Sequence, residues 1–495
     1  MRFIFVGFPT SVFPEMILVA KKLRQNGHQI IHWVRASGFA PALPAELEPL
    51  VDFKWNYDWS DPINPWLINN IEKFPPLTAA DLQKFAPYEV SILGMLSRFY
   101  PRVTTTELTY YYHLYLRCWK GLFIELRPDI IVFRTVPHEP TNMIIFLWAR
   151  FSGIKTLIFN QLWVTDRILP MADFTQSNSK LNPSTPMIKN SKSDNKENLP
   201  GDLSPDLKDY FVAQTTDTSD SIPIYMPDLF SDYSIFNRTI SRLRALFNRH
   251  PHINLKSRLV NSSKTFGWWL FSRIGNELPR SYRQLVSEPD YSKPFIYFPL
   301  HLQPEFSTNP LGGYFRDQLL ALEILAASLP AGWEIYVKEH PAQWLLVGTR
   351  HHPYRPKDYY HTIARLPAVR LIPTTADSFK LIRQAMATAT ISGTAGWEAI
   401  LRGKPALVFG HAWYQAAPGV FKITDPESCR AALAQIKQGG RPDQPAVLDF
   451  LKRLDENSFA GCLDLQYRHN AHFFKLTPEQ QADNILKEID KTINN

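Results

Sequence analysis

Cysteine is nearly missing from this chain. The 495 residues hold 3, Cys118, Cys429 and Cys462. Their odd number and wide spacing exclude a disulfide framework and a CxxC metal site, and a reducing, intracellular compartment is expected. No run of 18 uncharged apolar residues occurs, so no transmembrane helix is expected. The opening stretch MRFIFVGFPTSVFPEM lacks the charged region, apolar run and small-residue cleavage site of a signal peptide. Glycine (21) is outnumbered by proline (40), and no G-X-Y period exists, which excludes collagen. Neither GxGxxG nor a Walker sequence is present, so the usual dinucleotide and P-loop sites are excluded. What is there is a core-forming composition, 45% hydrophobic and 13% aromatic, with a formal net charge of +8 that favours anionic partners.

Two regions alternate between strand and helix patterns. Residues 2–6 (RFIFV) read as a strand, Pro14 to Gln25 as a helix with Met16, Val19, Ala20 and Leu23 on one face, and Gln29 to Val34 as a second strand. A similar unit recurs at 128–160. Residues 50–127, rich in Trp, Tyr and Pro, read as mostly helical and irregular. From 294 the alternation returns: PFIYFPL, a helix over 314–329, WEIYVK, VRLIP, SFKLIRQAMA, TATIS, WEAILRG and KPALVFG. The strands are continuous apolar runs, as in parallel sheets. The expectation is an α/β chain with an N-terminal Rossmann-like domain (1–165), a polar insertion and basic linker (166–290), a C-terminal Rossmann-like domain (291–430) and a helical tail (431–495) that packs back across the domains. Within the insertion, 171–222 has few apolar residues and reads as a mobile surface segment.

Ligands of open parallel sheets bind at the carboxyl ends of strands. Three polar clusters follow the strands of the last domain. Ser392-Gly393-Thr394-Ala395-Gly396 joins a strand to a helix, and its small residues, backbone N–H groups and hydroxyls suit a phosphate. Glu398, one turn on, suits sugar or ribose hydroxyls. A tight turn with a favourable carboxylate–dipole contact is the competing reading. Lys338-Glu339-His340-Pro341 ends another strand; Lys338 and His340 suit a phosphate leaving group, against an ordinary polar strand end. His301, Gln303 and Glu305 follow the first strand, and His and Glu are the usual acid–base types. A solvated Glu305 and a satisfied semi-buried His301 stand against that reading. His138-Glu139 follows an N-terminal strand and is a candidate acceptor-side base. His351-His352 with His361 match no ligand spacing, and no metal is expected.

LHLQPE (300–305), YVKEHP (336–341) and TISGTAGWEAILRGKPALVFGHAWY (390–414) together resemble the capsule polysaccharide biosynthesis family. The resemblance covers roughly 290–430 and implies glycosyltransferases of the GT-B type, Kdo-transferase-like, with two Rossmann-like domains facing a cleft. It implies a nucleotide-sugar donor, CMP- or UDP-linked, in the C-terminal domain and a glycan or lipid-linked acceptor on the N-terminal one. By position, His340-Pro341 matches the element contacting the donor phosphate, Ser392 and Thr394 the hydroxyl loop, Glu398 the nucleotide-associated carboxylate, and Gln303-Pro304-Glu305 a Gln-Pro element. The form after Gln303 departs from the acidic–Ser sequence of Kdo transferases. The expected enzyme is metal-independent, with Glu305 and His340 as catalytic residues, a base on the N-terminal side standing as the alternative to Glu305, and with His301, Gln303, Lys338, Pro341, Ser392, Gly393, Thr394, Gly396 and Glu398 around the donor. A nucleotide-sugar epimerase or polyol-phosphate transferase of the same fold is the alternative. So is a non-catalytic scaffold or glycan-binding protein of polysaccharide export.

Residues 238–283 carry ten Lys or Arg against the single Glu277, with Trp268-Trp269 among them. That mixture suits an anionic membrane surface better than base readout, so no nucleic-acid partner is expected. The expected location is cytoplasmic, peripheral to the inner membrane. A plain solvated helical face is the competing reading.

Overall fold

A computed structural model describes residues 1–9, 12–36, 54–55, 70–99, 103–182, 188–189, 203–216, 277–305, 307–344, 355–464 and 476–494. The chain forms two α/β units. The strands of the first are β1 (Arg2–Val6), β2 (Gln29–Ala36), β3 (Lys54–Trp55), β4 (Ile130–Phe133), β5 (Lys155–Leu162) and β6 (Arg167–Met171). A short β7 (Ile188–Lys189) follows. The second unit contains β8 (Phe295–Pro299), β9 (Glu334–Lys338), β10 (Val369–Ile372), β11 (Ala387–Thr390), β12 (Ala406–Val408) and β13 (Val420–Lys422). β14 (Arg441–Pro442) pairs with β7, and β15 (Phe459–Ala460) ends the series.

The first sheet runs β15-β6-β5-β4-β1-β2-β3, parallel from β3 to β5 and antiparallel at β6 and β15. The second runs β10-β9-β8-β11-β12-β13 and is parallel throughout. Counted within its unit this is 3-2-1-4-5-6, the doubly wound order, whose direction of winding reverses between β8 and β11. β4 (IIVF) and β9 (EIYVK) are buried along their whole length, because helices cover both faces of each sheet. The α/β expectation with two Rossmann-like units therefore holds.

The units are not separate beads. One apolar cluster joins Leu162, Val164 and Leu169 of the first unit to Trp397, Val408, Val447 and Phe450 of the second and of the helix Gln444–Asn457. The last part of the chain reaches back to the first unit. β15 extends the first sheet, and the helix Pro478–Asn494 packs on the helix Glu15–Gln25, with Lys22 Nζ 2.5 Å from Asp483 Oδ1. The boundary expected at 430 falls inside the helix Pro426–Lys437, whose Leu433 and Ile436 lie in the second unit's core. The boundary at 165 likewise cuts off β6, which is part of the first sheet.

The helix expected over 314–329 starts later, at Gln318. Asp317 caps it by accepting from Leu319 N–H at 3.0 Å, and Gly313–Arg316 forms a separate 3₁₀ turn. The expected polar insertion includes a helix, Pro205–Thr215, that is anchored. Arg167 donates from Nε to Asp206 at 2.8 Å and pairs with Asp455 at 2.8 Å, tying this helix and Gln444–Asn457 to β6. Most of the basic segment, 238–276, lies outside the described residues, as do His351 and His352.

Candidate functional site

The second sheet's reversal point is where β8 and β11 end. The chain leaves β8 at Leu300 and His301, and leaves β11 at Ile391 and Ser392. His301 is 9% exposed. Its Nε2 pairs with Thr390 Oγ1 at 3.1 Å, and that same oxygen accepts from Gly393 N–H at 3.1 Å. Gly393 has to be glycine: a Cβ there would stand 2.7 Å from His301 Cε1. Gly396 is tight for the same reason, because Tyr414 Oη would stand 2.3 Å from its Cβ. Tyr414 in turn donates to the Gly393 carbonyl. Ser392 Oγ donates to Ser307 O at 2.5 Å and fastens the β11 end to the loop after β8. The helix Thr394–Leu401 starts here with Gly393 as its N-cap, and no side chain caps it.

The β9 end comes alongside. Ala342 N–H donates to His340 Nδ1 at 3.2 Å, so the neutral ring carries its proton on Nε2. Burial is the main cause holding His340 down at about 4, opposed by Glu339 and assisted by Arg355 and Lys338. Burial also holds His301 at about 3, with His340 and Arg355 adding to it. Both imidazoles are therefore neutral near pH 7. Pro341 opens a turn closed by Gln343 N–H on His340 O at 2.9 Å. The Gln343 side chain accepts from Gln303 N–H at 2.8 Å and donates to Gln303 O at 3.2 Å, joining the β8 and β9 loops. Gln303 Nε2 donates to Thr308 Oγ1 at 2.5 Å.

His301, Gln303, His340, Ser392 and Gly393 are thus gathered at one sheet edge. Lys338 is turned elsewhere. Its Nζ donates to Ala376 O at 2.5 Å and to Ser378 Oγ at 2.8 Å, at the start of the helix Ser378–Gln384. Burial lowers its pKa to about 8 against the pull of Asp377. Glu398 is held above the ordinary carboxylate range by burial, opposed by Arg402 and by a hydrogen bond from Thr394. The Glu398 charge acts on three phenols, Tyr210, Tyr297 and Tyr414. Tyr210 comes from the anchored helix of the insertion, so that segment borders the site.

The loop after β8 also meets the first unit. Asn309 Nδ2 donates to Ser91 O at 2.9 Å, on the helix Ala79–Phe99. On the same helix Arg98 donates to the His138 carbonyl, beyond the end of β4. Arg98 also acts on Glu305, whose carboxyl is pushed up to about 7, mainly by burial, with Ser307 Oγ donating at 3.1 Å and Arg98 opposing the shift. His138 Nδ1 donates to Val136 O at 2.8 Å, which leaves Nε2 as the unprotonated nitrogen of a neutral ring. Burial lowers His138, Glu139 opposes, and Arg98 and Arg134 lower it further. Strand ends of both sheets therefore converge on Arg98.

Sequence reasoning passed over three parts of this site. Thr390 sits inside a strand and gives no outward signal. Glu339 is within the YVKEHP stretch, where a carboxylate at the end of an apolar strand signals a buried cation. Arg355, which is that cation, follows 16 residues later and no spacing rule finds it. Among the described residues, no group of three or more His, Cys, Asp and Glu side chains is placed to hold a metal.

Residues 298–439 match the family model described as capsule polysaccharide biosynthesis protein. A search of curated protein sequences returns no match. Solved structures similar to the chain include CalG4, the calicheamicin glycosyltransferase, at 12% identity and a TM-score of 0.24, covering 100% of this chain and 98% of that one. KpsC of Thermosulfurimonas dismutans, a beta Kdo 2,7 transferase, has 12% identity and a TM-score of 0.26, over 74% of this chain and 96% of that one. UDP-GlcNAc 2-epimerase from Neisseria meningitidis, bound to UDP-GlcNAc, has 12% identity and a TM-score of 0.24, over 99% of this chain and 100% of that one.

Proposed function

We propose that the chain, whose residues 298–439 match the capsule polysaccharide biosynthesis family model, is a GT-B-type glycosyltransferase. It moves a sugar from a CMP- or UDP-linked donor to a growing surface polysaccharide or a lipid-linked glycan. The observation that carries this reading is the meeting of His301, His340 and the Gly393 turn at the reversal point of the second sheet. Breaking the anomeric C–O bond leaves negative charge on the phosphate. The Nε2–H of neutral His340 and the backbone amides that open the helix Thr394–Leu401 stabilise that charge with donors fixed in advance. His301 and Thr390 shape the turn that presents those amides. Glu305, beside Arg98 of the first unit, takes the proton of the acceptor hydroxyl. Lys338 acts from its bonds to Ala376 and Ser378, as a neighbouring charge and a brace of the strand end.

The test is a thermal-shift panel of CMP, UDP, GDP and their sugars. One nucleotide is expected to raise the melting temperature selectively, since a ligand that binds only the folded chain stabilises it. His340→Ala is expected to shrink that response by weakening the grip on the phosphate. Equal indifference of the wild-type chain to every nucleotide would overturn the reading.

The location proposed is the cytoplasmic face of a membrane. No helix among the described residues is long and apolar enough to cross one, and the charge and Trp pair of 238–283 suit adsorption to anionic lipid. Sedimentation with vesicles containing phosphatidylglycerol, and not with neutral vesicles, is expected at low salt. It is expected to fade when Arg238, Arg242, Arg244 and Arg249 are replaced by Gln. Salt-independent or composition-independent binding would argue against this.

A further inference from the structure

One ion pair reaches both histidines of the site. Glu339 is fully buried and Arg355 is 3% exposed. The guanidinium grips the carboxylate through Nε to Oε2 at 3.0 Å and through the terminal nitrogen to Oε1 at 3.0 Å. The remaining acceptor positions are filled by Tyr360 Oη–H on Oε2 at 2.6 Å and by the backbone N–H of His340 on Oε1 at 2.7 Å. The same terminal nitrogen of Arg355 donates to the backbone carbonyl of His301 at 2.8 Å. The Glu339 N–H is taken by Tyr282 Oη at 2.9 Å, which donates onward to Ile372 O at 2.6 Å. The two hydrogen bonds that leave the Arg355–Glu339–Tyr360 cluster for the strand ends therefore go to His301 and His340.

Stability alone is a poor reason for such a pair. Well-packed neutral side chains commonly replace a buried ion pair at no loss of stability. What they cannot do is hold two separate backbone segments in fixed register by fork geometry. We propose that Arg355 and Glu339 are positioning residues, a shared clamp that sets the two imidazoles of the site relative to each other. The proposal rests on the transferase reading for what the histidines grip, and on the hydrogen bonds alone for the clamp itself. Because the guanidinium holds the His301 carbonyl directly and the His340 N–H through the Glu339 carboxylate, loosening the pair moves His301 and His340 together.

The test uses the full chain labelled with ¹³C at histidine Cε1, without ligand, and His301→Asn and His340→Asn to assign the two signals. The Glu339→Gln/Arg355→Met double variant removes both charges and keeps the bulk. It is expected to melt close to the wild type. In it the His301 and His340 signals are both displaced, and protonation of His340 rises by about one pH unit or more toward the ordinary value near 6.5 as its loop gains water. Groups that face His340 and bear on this reading are Glu339, Arg355 and Lys338. Arg355→Lys keeps the charge and loses the fork, and it serves if the double variant does not fold. It too is expected to displace both signals. Signals unchanged in a folded variant, or only one displaced, would overturn the clamp. A wild-type chain that ignores every nucleotide while its histidine signals respond as described would sink the transferase reading and leave the clamp standing.

Discussion

Glutamine in place of Glu305 is expected to lower turnover by about 10²–10⁴-fold, the usual worth of a positioned general base. It is also expected to remove a limb of the pH–rate profile. Burial raises the Glu305 carboxyl to about 7, and only its ionised form accepts a proton. Wild-type rate therefore climbs with pH up to about 7 and levels off above it. The variant has no such climb. Stability moves by the same proton. The folded carboxyl titrates at about 7 and the unfolded one near 4.5. The folded chain thus binds the extra proton between those values, and this group's contribution is best below 4.5 and declines as the pH rises to 7. Glu305→Gln is therefore expected to melt higher than the wild type at pH 8, and to show no such gain at pH 4.5. Rate profiles and melts over that range check both statements. A variant that turns over normally would remove Glu305 as the base.

Glu339→Ala is expected to cost about 3–5 kcal/mol of stability, because it leaves the Arg355 guanidinium buried without its carboxylate. Tyr360 Oη and His340 N–H lose their acceptor at the same time. The comparison that gives the number its meaning is the charge-free double variant, which loses both members and is expected to lose much less. Denaturant titration of the three proteins measures it. A fall of under 1 kcal/mol in Glu339→Ala would mean that water reaches Arg355 and that the pair is not buried in solution.

Much of the fold could be read from the chain. The strands RFIFV, FIYFP and EIYVK are continuous apolar runs flanked by Gly, Pro and polar turns, and two such series separated by helix-period stretches imply two parallel sheets. His301, His340 and Gly393 were legible because each follows a strand, and strand ends of one parallel sheet share an edge by construction. Lys338 was misplaced by the same logic. It is the last residue of β9 and not part of the loop beyond it, and its ammonium is used by the helix beginning at Ser378. Arg355 and the link through Arg98 were out of reach, because they depend on how separate elements dock and not on any local period. Polar composition marks surface and not the limits of a sheet: β6 follows just beyond 165 and the helix Pro426–Lys437 spans 430, each with its apolar side inward.

The excursion of the chain through its second half has a consequence for synthesis. The first sheet begins at Arg2, yet one of its faces is covered by Ile485, Leu486 and Ile489, and its edge is completed by Phe459 and Ala460. A ribosome delivers those residues only after the whole second unit has emerged. The half that is made first is therefore the half that is finished last. Until then the first sheet carries an uncovered apolar surface, so its core closes only after the second unit has been made.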